Sequence, residues 1–369
     1  MEIGSILELD IKRMFEPTQD KQIKFPFMEK DEWYLDFFNT GRSATESLLR
    51  HFTDKTIYMP SFMCSVVIDA VKRAGCQLKY YPINERLEAD VDYLAKLDMK
   101  NAVLYVAQYF GKPLDEKFMK LINQARQDGA VILEDITMSL MSQKSSAFAF
   151  GDFVMGSIRK WEPIPDGAFI AAKKPLPLMP KQDAAYDYTL YYFAAQVMKH
   201  EYVRCPQSFN KQRFLDFSAL GIESLFSDYT VRKMSDIAKR ILLTRSTPPP
   251  PPPPGGRLSN WKQLYGILAK LPEIILPVEY SEGMLSFGMF ILTENRDGLL
   301  NHLIDNDVYC NVNWRPNEAT EQFPGSSYLS KHCITIPCDE RYGSEEMVYI
   351  GEVVRSFLKG TRNNGRKNI

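Results

Sequence analysis

Lys160 follows Ser157-Ile158-Arg159, precedes Trp161, and stands shortly before an Asp166-Gly167 turn and the apolar run 168–172. A primary amine held on a rigid ledge and partly desolvated can form a covalent imine with an aldehyde cofactor. A lysine in a loop is ordinarily only a solvated charge, so this reading needs other parts. One is Asp135, which closes the apolar run 130–135. A carboxylate at the tip of such a strand is costly to bury without a cation. A protonated pyridine nitrogen would supply one, and the acid would keep that ring an electron sink. The plainer reading of Glu134-Asp135 is a cap for the next segment, and the acid alone does not separate the two. The third part is Asn39-Thr40-Gly41-Arg42-Ser43-Ala44, between a strand-like stretch (33–38) and a helical one carrying Leu48, Leu49 and Phe52 on one face. Strand, glycine turn, helix is the outline of a phosphate cradle. The same residues also describe an ordinary helix capped by Thr40 or Ser43.

The segments between these parts alternate in period. Residues 56–60 read as a strand, 61–75 as a helix ending at Gly75, and the QLKYYPI run as a strand. The DVDYLAKL run reads as helix, 101–111 as apolar strand, the segment closed by Gly129 as amphipathic helix, and 130–135 as strand again. Strand–helix alternation with short connections predicts an α/β fold with a mostly parallel sheet and helices on both faces. Ligands in such sheets collect beyond the carboxyl ends of the strands. Residues 186–238 read as a long helical region broken at Pro206 and Gly221, and a second helix follows Ser235. Proline occupies 248–254 without interruption, before Gly255-Gly256. That run is extended and acts as a spacer, or as a docking site for a proline-recognising module. Beyond it come a helix at 257–271, a strand at 284–293, the helical DGLLNHLIDNDV, short strands in YCNVNW and CITIPC, and a closing amphipathic helix. This β-α-β-β-α order predicts a small α+β unit. The division expected is an N-terminal arm (1–30), a large α/β domain (31–245), a proline-rich linker (246–256) and a small C-terminal α+β domain (257–369).

Composition narrows the function classes. Hydrophobic residues make up 45% and charged residues 25% of the 369, with a formal net charge of −1. That balance gives no electrostatic reason to expect nucleic acid or an anionic membrane as partner. No run approaches the ~20 apolar residues of a spanning helix, and the acidic first residues lack an export signal's pattern. The six cysteines form no C-x-x-C pair and the four histidines do not cluster. Reduced thiols in a cytoplasm, without a metal site, is the expectation.

Taken together, the glycine turn, the acid at a strand tip, the serine and lysine before a glycine and the C-terminal α+β unit resemble fold-type I pyridoxal-phosphate enzymes. More narrowly, the chain resembles the DegT/DnrJ/StrS-type sugar aminotransferases, from the Asn39 turn to Trp314, Ile336-Pro337 and Arg341-Tyr342. The resemblance implies a fold-type I PLP-transferase with pyridoxal 5'-phosphate bound to Lys160. Asp135 would lie under the pyridine nitrogen, and Ser157 with Gly41, Arg42 and Ser43 would hold the phosphate. Arg257, Asn260, Trp261 and Leu264 look like the family's Arg-x-x-Asn-aromatic-x-x-Leu helix. The chain departs from the pattern in having Gly167-Ala168 for Gly-Gly, a shorter serine-to-lysine spacing, and Gln108-Tyr109-Phe110-Gly111 for His-x-Tyr-Gly. It also has Met138 where the family has Gln or His, and Cys64 near the position of the ring-stacking aromatic. The implied reaction moves an amino group from glutamate or glutamine to a nucleotide-linked keto-sugar, in a pathway such as polysaccharide biosynthesis. Tyr109, Trp161 and Trp314 would line the substrate site, and Arg232 would reach the partner's cofactor in a homodimer with shared active sites. Two alternatives stand beside this: a catalytically altered fold-type I protein with a regulatory or assembly role, motivated by Met138 and Cys64, and a PLP enzyme acting on an amino acid.

Overall fold

Runs such as AVLYVA are too continuously apolar for a strand with one wet face, and they form the middle of the molecule. In the computed structural model, which describes residues 2–18, 23–28, 33–143, 149–177, 179–244 and 256–365, the whole of that run, Ala102–Ala107, is buried. The strands are β1 (Ile3–Gly4), β2 (Tyr34–Phe38), β3 (Thr56–Pro60), β4 (Gln77–Tyr81), β5 (Ala102–Ala107), β6 (Val131–Asp135), β7 (Phe153–Ser157) and β8 (Ala168–Ala172). Between them lie helices α1 (Gly41–Leu49), α2 (Ser65–Arg73), α3 (Val91–Leu94) and α4 (Glu116–Gln127). Seven strands form one sheet in the order β2-β8-β7-β6-β5-β3-β4. The neighbours from β7 to β4 run parallel, while β8 is antiparallel to both β7 and β2. The chain goes outward from β3 to β4 and then crosses back to place β5 on the other side of β3. Crossovers that diverge in this way leave a crevice at the carboxyl ends of β3 and β5. The register Ala107↔Asp135↔Met155 brings the tips of β5, β6 and β7 level beside it.

The long helical region is three helices, α5 (Tyr186–Arg204), α6 (Lys211–Ser227) and α7 (Asp236–Leu243). Pro206 lies in the break between the first two, but Gly221 breaks nothing. It sits inside α6, where an added Cβ would lie 3.1 Å from the backbone nitrogen of Tyr192. The missing side chain lets α5 and α6 close on each other, a packing role that reads in sequence like a helix stop.

Beyond α8 (Arg257–Leu268) come β9 (Met289–Leu292), α9 (Arg296–Asp305), β10 (Val308–Tyr309), α10 (Pro324–His332), β11 (Cys333–Ile336) and α11 (Ser344–Gly365). One expectation is corrected here, and two further features carried no expectation. Residues 284–288 are not strand, because Leu285 N and Phe287 N donate to Ser142 Oγ (2.8 Å) and Met138 O (3.0 Å). Helix α10 was not anticipated. And β10 does not join the antiparallel β9–β11 pair; it runs parallel to β1, so the N-terminal arm is tied into the C-terminal part. One continuous apolar core joins all three sheets and includes Ile3, Tyr105, Phe110, Trp261, Phe290 and Ile350. A second core, around Phe25, Phe169, Trp161 and Ile241, covers the other face beneath the Lys160 turn. The proline run lies outside the described residues.

Candidate active site

A cavity with about 970 Å3 of empty space opens where β3, β5, β6 and β7 end. Asp135, the last residue of β6, is 8% exposed and keeps its carboxylate in fixed hydrogen bonds. Tyr105 Oη donates to Oδ2 (2.8 Å) and the Thr137 amide to Oδ1 (2.8 Å). Lys160 ends a single 3-10 turn, Ile158–Lys160, that leaves β7 directly. Two interactions lock that turn to the tip of β6. Ser157 N donates to Thr137 Oγ1 (3.1 Å), and Trp161 Nε1 donates to Thr137 O (2.7 Å). Thr137 therefore receives bonds from both ends of the lysine turn while its own amide orients Asp135. The preceding acid, Glu134, is fully buried and takes N–H groups from Gln108, Ala149, Phe150 and Gly151 at 2.7–3.0 Å. Burial pushes its carboxyl up from the ordinary range, and those donors oppose the shift.

No hydrogen bond or ion pair engages the Lys160 ammonium among the described residues, and the side chain lines the cavity wall. Burial pushes its pKa down; Cys64 and Asp135 oppose that shift and the Arg159 charge adds to it. A base so placed gives up its proton more readily than a surface lysine, as a nucleophilic amine must.

At the other end of the cavity lies the start of α1. Thr40 is its N-cap, and its Oγ1 accepts from Ser43 N at 3.2 Å. The capped-helix reading therefore holds with Thr40, not Ser43, at the N-cap, yet Thr40 and Gly41 face the cavity with the helix's positive end. Ser157 also faces it, with its hydroxyl unbonded among the described residues. The turn is held by Gly167, whose positive φ of 139° lets its N–H reach Asn39 O (2.7 Å). Its carbonyl accepts from Ile158 N (2.9 Å) and Arg159 N (3.3 Å), so one glycine joins the lysine turn to the α1 turn.

Of the other sequence-derived residues, Cys64, Tyr109, Met138 and Trp314 line this same cavity. Cys64 is the N-cap of α2, and Tyr109 is fixed by its Oη to Phe62 O (2.6 Å). Trp314 packs edgewise on Phe62, with ring centroids 5.0 Å apart. Arg42 lines the turn, but its guanidinium is spent elsewhere. It donates to Leu225 O and Asp228 O at the end of α6, between the rings of Phe226 and Tyr229. Ser43 supplies the amide that the Thr40 hydroxyl caps, and it does not line the cavity. Trp161 is not a lining residue either: it is 3% exposed, packed in the second core with the Arg257 guanidinium 4.6 Å from its ring centroid. Arg232 lies away from the cavity of its own chain, paired with Asp228 at 2.6 Å, and its carbonyl accepts Asn39 N. Arg257, Asn260, Trp261 and Leu264 are all buried on α8; Asn260 Nδ2 bonds the carbonyls of Asp339 and Tyr342. Sequence reading missed Thr137, whose signal was a hydroxyl two residues beyond the acid. It also missed Arg159, hidden beside a more conspicuous lysine.

No protein-family model and no curated protein sequence matches the chain. Solved structures do, at low identity. A DegT DnrJ EryC1 StrS aminotransferase from Brucella abortus shares 14% identity over 88% of this chain and 86% of its own, with a TM-score of 0.58. DesV of S. venezuelae, solved in complex with a ketimine intermediate, shares 16% over 88% and 84%, with a TM-score of 0.61. The candidate sugar aminotransferase Spr1654 of Streptococcus pneumoniae, in its PLP form, shares 15% over 88% and 87%, also at 0.61. The fold expected from the resemblance is the fold observed.

Proposed function

We propose that this protein is a pyridoxal-phosphate-dependent aminotransferase. It moves an amino group from an amino-acid donor, glutamate or glutamine, to a nucleotide-linked keto-sugar. The observation that carries this reading is the Lys160 amine, without a hydrogen-bond or ion-pair partner among the described residues, on one cavity wall with the Asp135 carboxylate, opposite the open start of α1. The residues present fit the cofactor: an amine for its aldehyde, an acid for its ring nitrogen, and a free serine hydroxyl beside a helix N-terminus for its phosphate. When bound, the group supplies an electron sink for carbon–hydrogen cleavage at the substrate.

The chain's own residues then have separable tasks. Lys160 Nζ would hold the cofactor through its aldehyde, and the same amine would take up and return the proton moved at the reacting carbon. Asp135, fixed by Tyr105 and Thr137, would keep a proton on the ring nitrogen. Ser157 Oγ and the α1 amides would bind the phosphate. Tyr109 and Trp314, with ring centroids 6.2 Å apart, form an aromatic wall that would exclude water from part of the cavity. The similar fold of Spr1654 and the Brucella abortus aminotransferase supports the reaction class. We include in the proposal a cytoplasmic homodimer, its second copy covering the apolar face of α5 and α6 beside the cavity mouth. The amino sugars it makes would enter polysaccharide or small-metabolite synthesis.

The test is direct. Purified protein incubated with pyridoxal phosphate should acquire a visible imine band that borohydride fixes on Lys160, and glutamate with a nucleotide keto-sugar panel should yield an amino sugar. If the unaltered protein takes up no cofactor, and Lys160→Ala behaves identically, the reading fails.

A further inference from the structure

Lys160 and Arg159 also border a second cavity, with about 1200 Å3 of empty space, bounded by the strand-β1 segment, β10, β11 and α8. Its walls hold polar atoms with nothing to bond. Thr335 Oγ1, on a residue 2% exposed, and Asn313 Oδ1 are buried without a partner among the described residues. Orphaned buried acceptors and donors of this kind are costly unless a polar ligand satisfies them. Three guanidinium groups border the same space, and two are already neutralised. Arg257 pairs with Glu340 at 2.9 Å, and Arg341 pairs with Asp339 at 2.6 Å and Glu8 at 2.7 Å. Arg159 differs. Its Nη1 donates to Tyr188 Oη at 2.9 Å and it lies 5.2 Å from the Tyr192 ring centroid. No carboxylate lies within ion-pair distance of it among the described residues. Asp166 acts on it only through space, its oxygens being occupied by Ser235 N (3.0 Å) and Thr189 Oγ1 (2.9 Å).

We propose that Arg159 binds the α-carboxylate of the amino-acid donor, which enters through this second cavity. The inference rests on the aminotransferase reading. An α-carboxylate sits one carbon away from the amine that must meet Lys160, so its receptor has to stand beside that lysine. Arg159 is its chain neighbour on one 3-10 turn and lines both cavities with it. A guanidinium fork matches a carboxylate bidentately, and the partly buried cation gains the counter-charge it lacks. The diphosphate of a nucleotide sugar lies many bonds from its keto carbon and does not fit this placement.

Calorimetric titration of the full-length protein with 2-oxoglutarate and, separately, UDP tests it. Arg159→Gln should weaken 2-oxoglutarate binding by about 10–100-fold, the range for losing charge-assisted hydrogen bonds, with UDP binding unchanged. Arg159→Lys, which keeps the charge but not the fork, should fall between; it serves as the test if Arg159→Gln does not give a native melting transition. Equal 2-oxoglutarate binding in unaltered and substituted proteins, no binding by the unaltered protein, or a loss confined to UDP overturns the assignment. The two readings fail separately. Arg159-dependent binding of 2-oxoglutarate without any cofactor band would sink the function and keep the carboxylate site, and a cofactor band with Arg159-independent binding would do the reverse.

Discussion

At the residue scale the site depends on an acid and an amine whose environments differ. Asp135 has two donors on its oxygens, whereas the Lys160 ammonium has none among the described residues and is pushed toward its neutral form by burial. Asp135→Asn should therefore leave cofactor uptake measurable but slow the half-reaction with glutamate by about 10²–10³-fold, the scale of removing one preorganised electrostatic contact. Stopped-flow decay of the visible band reads that rate, and an unchanged rate would remove Asp135 from the mechanism. That Lys160 and Asp135 share a cavity was foreseeable, because one ends a strand and the other lies just beyond the neighbouring strand. Trp161 was misread because an aromatic's direction is set by its neighbours: its indole N–H is drawn to Thr137 O and away from the cavity. Arg159 escaped notice for a related reason, since a cation beside a lysine reads as solvated charge until both are seen facing the same space.

At the scale of elements, the device that aligns the site is the junction at Gly167, where β8 begins. Its φ of 139° is closed to side chains, and an added Cβ would lie 2.9 Å from Ile164 Cδ1 and 3.0 Å from Met234 Cε. Gly167→Ala should cost roughly 1–3 kcal/mol from strain and overpacking and should displace the lysine turn, because Ile158 N and Arg159 N both bond its carbonyl. Denaturant melts read the first effect and loss of the visible band the second; a stable variant with normal cofactor uptake would show the junction to be dispensable. The strand–helix alternation from β3 to β6 was legible because buried parallel strands are nearly continuous apolar runs. The C-terminal part was less so. The pairing of β10 with β1 joins residues about three hundred positions apart, and no local period encodes it. Nor does the AVILED run show that Glu134, rather than capping the next segment, gathers the amides of residues 149–151. Glu134→Ala, which strands those amides, should cost roughly 3 kcal/mol in a denaturant melt, and a loss below about 1 kcal/mol would contradict that anchoring role.

At the scale of the whole molecule, the two ends of the chain are clasped by charge. Arg341 donates to Ile6 O (3.1 Å) and pairs with Glu8 and Asp339, while buried Lys199 donates to Gly4 O (2.6 Å) and Ile6 O (2.8 Å). Burial alone would raise the Asp339 carboxyl, but Arg341 overrides it and holds the pKa at about 2. A folded pKa below the unfolded one means stability that is present above about pH 4 and lost as pH falls toward 2, here about 2 kcal/mol. Asp339→Asn should lose that amount at neutral pH and show a flatter decline in acid. Equal acid melts of the two proteins would contradict the clasp.

Helices α5 and α6 expose several apolar side chains beside the cavities. Leu215, Ile222 and Phe226 recur at a helical spacing on α6 and are 37%, 37% and 50% exposed, with Leu190 of α5 at 50%. Phe226 also lines the first cavity and Ile222 the second, so whatever covers this face closes both. An apolar surface bordering a site in this way calls for a partner, and a second copy would complete both sites symmetrically. Sedimentation should give twice the 42.5 kDa of one chain. Leu215→Glu with Leu190→Glu, neither of which lines a cavity, should shift it to the single-chain mass and lower aminotransfer at low protein concentration, recovering as concentration rises. An unaltered protein that sediments as one chain while fully active would show that each site is complete within its own chain.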